Sequence, residues 1–132
     1  MKITVIGCGR LGAPYAAGMA SLGHHVLGLD LNPDTVAALQ AGKAPFAEPG
    51  LAEAITEGAA TGGLTFTDSY DQAAAHATVH FLAVPTPQSA QGEHHDLRDV
   101  YAAAESLARA LRRDSLTSIR GQVIELRSGR WC

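Results

Sequence analysis

The sequence predicts an α/β fold in which a doubly wound parallel sheet carries helices on both faces. Apolar or β-branched runs recur at residues 2–6, 25–30, 64–67 and 78–84. Segments with helical periodicity lie between these runs, and a glycine-rich turn follows the first one. Strands that alternate with helices in this way form parallel sheets covered on both sides. The length of 132 residues suits a single domain of this class.

The first two predicted strands flank a helix of small residues. KITVI (2–6) is typical of a buried parallel strand, and Gly7 bounds it. A helix begins near Arg10, and Pro14 is tolerated in its first turn because the amides there have no intrahelical partner. One face of that helix carries only alanines, at positions 13, 16, 17 and 20. HVLGLD (25–30) is the second strand.

Three shorter elements are predicted in the middle of the chain. Asn32 as N-cap and Pro33 at the first helical position begin a helix that runs through Leu39. A second helix is expected from Leu51 to Glu57. LTFT (64–67) is the third strand, and Asp68 is the expected cap of a further short helix.

The last strong signals are an apolar strand and an amphipathic helix. TVHFLAV (78–84) is predicted to be a central parallel strand, and it stops at Pro85, which has no amide hydrogen to donate. After a polar loop, Asp96 is the expected N-cap of a helix. The predicted buried stripe of that helix consists of Leu97, Val100, Tyr101, Ala104, Ala108 and Leu111.

The charge balance changes after Leu111. Residues 112–132 contain five arginines and two acids, whereas the whole chain has a net charge of −3. QVIEL (122–126) allows one short strand, but there is no helical stripe. The sequence therefore predicts a domain at residues 1–111 and a divergent basic tail at 112–132.

The turn GCGRLG (7–12) predicts dinucleotide binding in a Rossmann-like fold. Gly7 allows the tight turn, Gly9 leaves room for a pyrophosphate, and Gly12 lets helix and strand pack closely. Asp30, at the end of the second strand, can accept hydrogen bonds from an adenosine ribose and would repel a 2′-phosphate. NAD is therefore expected rather than NADP. Arg10 suits either a phosphate contact or a solvated helix start.

Composition and cysteine usage exclude several other classes. The acidic net charge provides no basic field for nucleic acid or an anionic membrane, and no run is long enough to span a bilayer. A cytoplasmic location is expected. Cys8 and Cys132 are expected to be reduced, EHHD (93–96) is expected to be a solvated loop with no metal site, and His80 is expected to be hydrogen-bonded or at the surface.

The segment from GCGRLG through AEPGL (47–51), together with LAVPTPQ (82–88), resembles the UDP-glucose/GDP-mannose dehydrogenase family, most nearly its UDP-glucose branch. The resemblance covers about residues 1–111. It implies that Gly7, Gly9 and Gly12 hold the pyrophosphate, and Arg10 and Leu11 of the same turn are also expected among the cofactor-binding residues. It also implies that Asp30 holds the ribose and that Thr86 lies beside the cofactor. Thr35 stands where the family commonly has a basic residue, so no charged contact is expected there.

The same resemblance implies what this chain does not contain. The family oxidises the C6 hydroxyl of a UDP-sugar twice, passes two hydrides to NAD and uses a cysteine that lies in later segments. No catalytic residue is therefore expected here, and the chain is expected to be a truncated, inactive monomer or weak dimer, with UDP-sugar binding only if the missing domains are supplied. The alternatives are a non-enzymatic nucleotide-binding or interaction module and a degenerate fragment.

Overall fold

A computed structural model of the chain describes residues 1–88, 96–111, 116–119 and 124–127. The strands are β1 (Lys2–Ile6), β2 (His25–Leu29), β3 (Leu64–Thr67), β4 (Val79–Leu82), β5 (Leu116–Ile119) and β6 (Ile124–Arg127). The helices are α1 (Gly12–Ser21), α2 (Pro33–Gln40), α3 (Leu51–Ala60), α4 (Tyr70–His76) and α5 (Arg98–Ala110).

The described strands form one sheet in the order β3-β2-β1-β4-β5-β6. The pairs from β3 through β5 are parallel, and β6 joins β5 antiparallel. Chain order runs outward from β1 toward β3 on one side and from β4 toward β6 on the other. The switch point thus lies between β1 and β4, where ligands bind in sheets of this kind. The predicted doubly wound fold is confirmed.

Side chains of β1 alternate between two apolar layers because successive residues of a strand face opposite sides. Ile3 and Val5 belong to the core beneath α1 and α3, whereas Ile6 belongs to the core shared with α4 and α5. Thr4 also faces the second layer, where its hydroxyl donates to the carbonyl of Ala73 at 3.0 Å. Both faces of the sheet are therefore covered.

The helix starts follow the sequence with two corrections. The side chain of Asn32 caps α2 as predicted, since it accepts from the amide of Asp34 at 3.0 Å. The cap of α4 is Ser69 and not Asp68, because the Ser69 hydroxyl accepts from the amide of Gln72. The cap position of α5 is Leu97, one residue after the predicted Asp96, although the Asp96 carboxylate still accepts from the amide of Arg98.

The buried face of α5 differs from the predicted stripe. Val100, Ala103 and Leu107 lie in the core, whereas Tyr101 is 70% exposed and Ala108 is also exposed. The predicted stripe was therefore displaced around the helix: it included the exposed Tyr101 and Ala108 and left out the buried Ala103 and Leu107. Within the described residues, no helix is both long and apolar enough to cross a bilayer.

The sheet continues past Leu111, where a tail with one strand at 122–126 was expected. The structure has two strands there, β5 parallel to β4 and β6 antiparallel to β5. The segment LTSI of β5 has only two apolar residues, so its own pattern is weak. Segment 116–119 is a strand because its backbone pairs with the open edge of β4. Strand β4 itself ends at Leu82, two residues before the predicted end.

Candidate functional site

The glycine turn lies at the carboxyl end of β1, between the ends of β2 and β4. Gly7 has φ of +93° and donates its amide hydrogen to the carbonyl of Leu29 at 2.7 Å. A Cβ at Gly7 would lie 2.8 Å from the carbonyl oxygen of Ala83. A side chain would be strained at this φ and would clash with the chain after β4, so the tight turn requires glycine here.

The other two glycines of the turn have opposite surroundings. A Cβ at Gly12 would overlap the carbonyl oxygen of Gly7 and would lie 3.3 Å from the Cβ of Ala83. At Gly12, helix α1 therefore packs closely against the end of β1, and this packing leaves no room for a Cβ. A Cβ at Gly9 would meet no atom within 4 Å. The backbone at Gly9 thus faces open space, and a ligand could approach it closely.

In the described part of the chain, backbone amides without acceptors lie just before the first turn of α1 and at its first residue, Gly12. Among the described residues, the backbone amides of positions 9–12 donate no hydrogen bond, and Leu11 at the cap position has no side-chain cap. No acidic residue lies in this first turn. Free amides and the positive end of the helix dipole favour an anion at this point. Leu11 is 54% exposed beside it.

Asp30 directly follows β2 and connects three neighbouring segments. Its Oδ2 accepts from the amide of Cys8 at 2.9 Å, and its Oδ1 accepts from the amide of Asn32 at 2.9 Å. Its own amide donates to the carbonyl of Thr67 at 3.1 Å. The carboxylate is therefore fixed against the glycine turn. Sequence reasoning missed the bond to Cys8, because no local pattern shows that residues 22 positions apart meet.

Arg10 and Thr86 lie on the solvent side of this region. The Arg10 guanidinium carbon is 5.8 Å from the centre of the Phe46 ring, an arrangement that the sequence did not reveal. Thr86 is exposed and follows β4 by four residues, at the same end of the sheet as the turn. The predicted site residues are thus assembled at one edge, where the carboxyl ends of β1, β2 and β4 meet.

Two other groups bear on the chemistry of the chain. Cys8 is fully buried, and burial, followed by the charge of Asp30, raises the pKa of its thiol far above the usual range, so it is unsuited to act as a nucleophile. His80 is also fully buried, and neither ring nitrogen has a hydrogen-bond partner among the described residues. The expectation of a surface or hydrogen-bonded His80 was wrong, because β4 is a central strand covered by helices.

The remaining chemical candidates fall partly outside the described residues. No group of three His, Cys, Asp or Glu side chains that could hold a metal occurs in the described part of the chain. Residues 93–95 of EHHD and Cys132 lie outside it. The glycine turn with Asp30 is the candidate site that the described residues support.

Comparison with known families agrees with this geometry. The model of the NAD-binding domain of the UDP-glucose/GDP-mannose dehydrogenase family matches residues 1–126. The match extends past Leu111, where the resemblance was expected to end, and it includes β5. The open glycine turn and the acidic residue after β2 are thus found in a chain whose family binds NAD.

Curated relatives and solved structures give the same result. UDP-glucose 6-dehydrogenase YwqF of Bacillus subtilis is 35% identical over 93% of this chain and 28% of its own length. UDP-glucose 6-dehydrogenase of Rhizobium meliloti is 41% identical over 82% of this chain and 25% of its own length. The GDP-mannose dehydrogenase of Pseudomonas aeruginosa, solved as a ternary complex, superposes with a TM-score of 0.86 at 29% identity, over 91% of this chain and 28% of that one.

The chain spans about a quarter of the length of these curated relatives. The matched part contains the sheet, the glycine turn and Asp30, and NAD is the cofactor that this domain type binds. The chain therefore belongs to the UDP-glucose/GDP-mannose dehydrogenase family, of which it represents the NAD-binding domain.

Proposed function

We propose that this chain binds NAD through Gly7, Gly9, Arg10, Leu11, Gly12, Asp30 and Thr86, as the cofactor domain of a nucleotide-sugar 6-dehydrogenase. The observation that carries the proposal is the pairing of unbonded amides at positions 9–12 with a carboxylate fixed against the same turn. The amides and the helix dipole suit a pyrophosphate. The carboxylate suits the ribose next to it.

The residues present fit the cofactor on structural grounds. Gly9 has open space where a side chain would block the approach of a pyrophosphate. Both oxygens of Asp30 accept backbone amides, and each retains a second lone pair for a ribose hydroxyl. When NAD is bound, its nicotinamide accepts a hydride from the substrate. The part of this chain is to bind and orient the cofactor.

The substrate belongs to the proposal as well. UDP-glucose is favoured as the substrate of the whole protein because relatives named UDP-glucose 6-dehydrogenase match at 35% and 41% identity. Oxidation of the C6 hydroxyl to a carboxylate needs a nucleophile that Cys8 cannot supply, since its thiol is fully buried with a raised pKa. The chain alone is therefore proposed to bind cofactor without turnover.

The proposal also covers the location, the oligomeric state and the partners of the chain. We propose a cytoplasmic monomer or weak dimer that binds neither nucleic acid nor membrane, because the net charge of −3 provides no basic field for either. Sedimentation equilibrium at micromolar concentration would measure the oligomeric state. A stable tetramer would contradict this part of the proposal.

Calorimetric titration of the folded chain with NAD tests the central claim. Saturable heat at millimolar or lower cofactor is expected, together with weaker binding of NADP. A folded sample that shows neither heat nor a thermal shift with millimolar NAD would overturn it.

A further inference from the structure

Arg10 lies in the middle of the glycine turn and contacts an aromatic ring from another segment. The guanidinium carbon is 5.8 Å from the centre of the Phe46 ring, within the range of a cation–π interaction. Phe46 belongs to the connection between α2 and α3, and it is partly buried against the core beneath α1. The ring is therefore anchored, whereas Arg10 itself is exposed.

No carboxylate competes for Arg10 in the described part of the chain. The ion pairs there are Arg98 with Asp96 and Arg109 with Glu105, and neither involves Arg10. A ring contact uses the face of a guanidinium and leaves its N–H groups free at the edge. A planar fork of N–H donors matches the oxygens of a phosphate. Arg10 is thus held by one surface while its donors stay available.

We propose that Phe46 is a positioning residue, which holds the Arg10 guanidinium beside the glycine turn so that it contacts the diphosphate of the dinucleotide. This inference rests on the proposed NAD binding and deepens it. It assigns a role in cofactor binding to the segment between α2 and α3. An arginine free in solvent would lose side-chain rotational freedom when it binds a phosphate, and the contact with the ring removes part of that entropy loss in advance.

The consequence is a difference between ligands with and without phosphates. Phe46→Leu should weaken NAD and ADP-ribose by about two- to fivefold, which is the usual size of an exposed cation–π interaction. Adenosine, which lacks the diphosphate, should bind equally well to both proteins. A general disturbance of the fold would weaken all three ligands together.

The experiment uses four variants of the full chain. Phe46→Leu removes the ring, and Phe46→Tyr keeps it and should retain the affinity of the original protein for NAD. Arg10→Met removes the charge, and the double variant Arg10→Met with Phe46→Leu should bind NAD no more weakly than Arg10→Met alone. Calorimetry measures NAD and ADP-ribose, and ligand-observed NMR measures adenosine. If Phe46→Leu does not fold, Phe46→Met takes its place, because a flexible methionine fills irregular space.

The outcomes separate the two proposals. Selective loss of diphosphate ligands in Phe46→Leu, with rescue in Phe46→Tyr, supports the positioning role. Unchanged NAD affinity in Phe46→Leu, or equal weakening of adenosine, overturns that role while NAD binding by the original chain still stands. If the original chain binds no NAD at all, the proposed function fails, and this inference fails with it.

Discussion

The carboxylate of Asp30 has two tasks at once. It fixes the amide of Cys8 within the glycine turn and also caps its own loop through Asn32. In the proposed site it accepts ribose hydroxyls as well. A substitution at this position therefore affects both the shape of the turn and the choice of cofactor, and the test has to separate these effects.

Asp30→Asn keeps the shape of the glycine turn, because its one amide oxygen can still accept from the amide of Cys8, while the charge and the bond from the amide of Asn32 are lost. We expect NAD to bind more weakly and NADP to gain relative to it, so that the preference for NAD falls by about tenfold, the size of one charge-assisted hydrogen bond. Calorimetric titration with both cofactors gives the ratio. Glu57→Gln, on an exposed position of α3, removes the same charge away from the turn and should leave the ratio unchanged.

Gly9 and Gly12 should respond differently to alanine. Gly9→Ala adds a methyl group in open space, so the fold should keep its stability while NAD binding is lost or falls at least tenfold. Gly12→Ala places a Cβ against the Gly7 carbonyl and should lower the free energy of unfolding by about 3 kcal/mol or more. Urea unfolding combined with NAD titration distinguishes the two. Gly18→Ala, also in open space but within α1, is the matched control and should keep both properties.

His80 makes the stability of the fold depend on pH. Burial, followed by the charge of His76, lowers the pKa of His80 to about 4. Because an unfolded histidine takes up its proton near pH 6.5 and the folded one resists until about pH 4, stability is complete above pH 6.5 and is lost as the pH falls through this window. The free energy of unfolding should fall by about 1–3 kcal/mol between pH 6.5 and pH 4.

Urea unfolding at several pH values between 4 and 7 measures this dependence. His80→Leu should flatten it, since leucine fills the buried position without a titrating group. His25→Gln, at an exposed position, should leave it as it is. A slope that survives in His80→Leu would assign the effect to another group.

At the scale of elements, the sequence predicted those parts whose signals are local. β1, α1 and the cap of α2 follow from a β-branched run, a row of alanines and the pair Asn32 and Pro33. β5 could not be predicted in this way, because its four residues become a strand through pairing with β4. The bond from Asp30 to Cys8 and the contact of Arg10 with Phe46 are likewise tertiary. The sequence therefore predicts where the candidate site lies, while the contacts within it required the fold.

Because β5 pairs with β4, a chain that ends before β5 should be less stable. Ending the protein at Leu111 removes a parallel neighbour from β4, which carries apolar residues on a central strand. We expect the free energy of unfolding to fall by about 2–4 kcal/mol, because each of several backbone hydrogen bonds contributes about 0.5–1.5 kcal/mol net. Urea unfolding and light scattering report stability and association. A shortened chain as stable as the original would show that β5 and β6 add nothing to the fold.

At the scale of the whole molecule, hydrogen bonds of the fold itself hold the glycine turn in place. Gly7, Asp30 and Ala83 come from three strand ends, and backbone hydrogen bonds join these ends to one another. A dinucleotide that binds only the folded chain therefore stabilises it, by about 2.7 kcal/mol when its concentration is a hundred times its dissociation constant. The domain should show this response without the remaining three quarters of its relatives' length.

Thermal unfolding across a series of NAD concentrations measures that response. The midpoint should rise steadily with the logarithm of the NAD concentration in the original chain and stay constant in Gly9→Ala, whose fold is intact but whose turn is blocked. Adenosine should raise the midpoint less, because it leaves the free amides of α1 without an anion. If NAD raised the midpoint equally in Gly9→Ala, the cofactor would be binding elsewhere, since the methyl group occupies the space through which the pyrophosphate must approach.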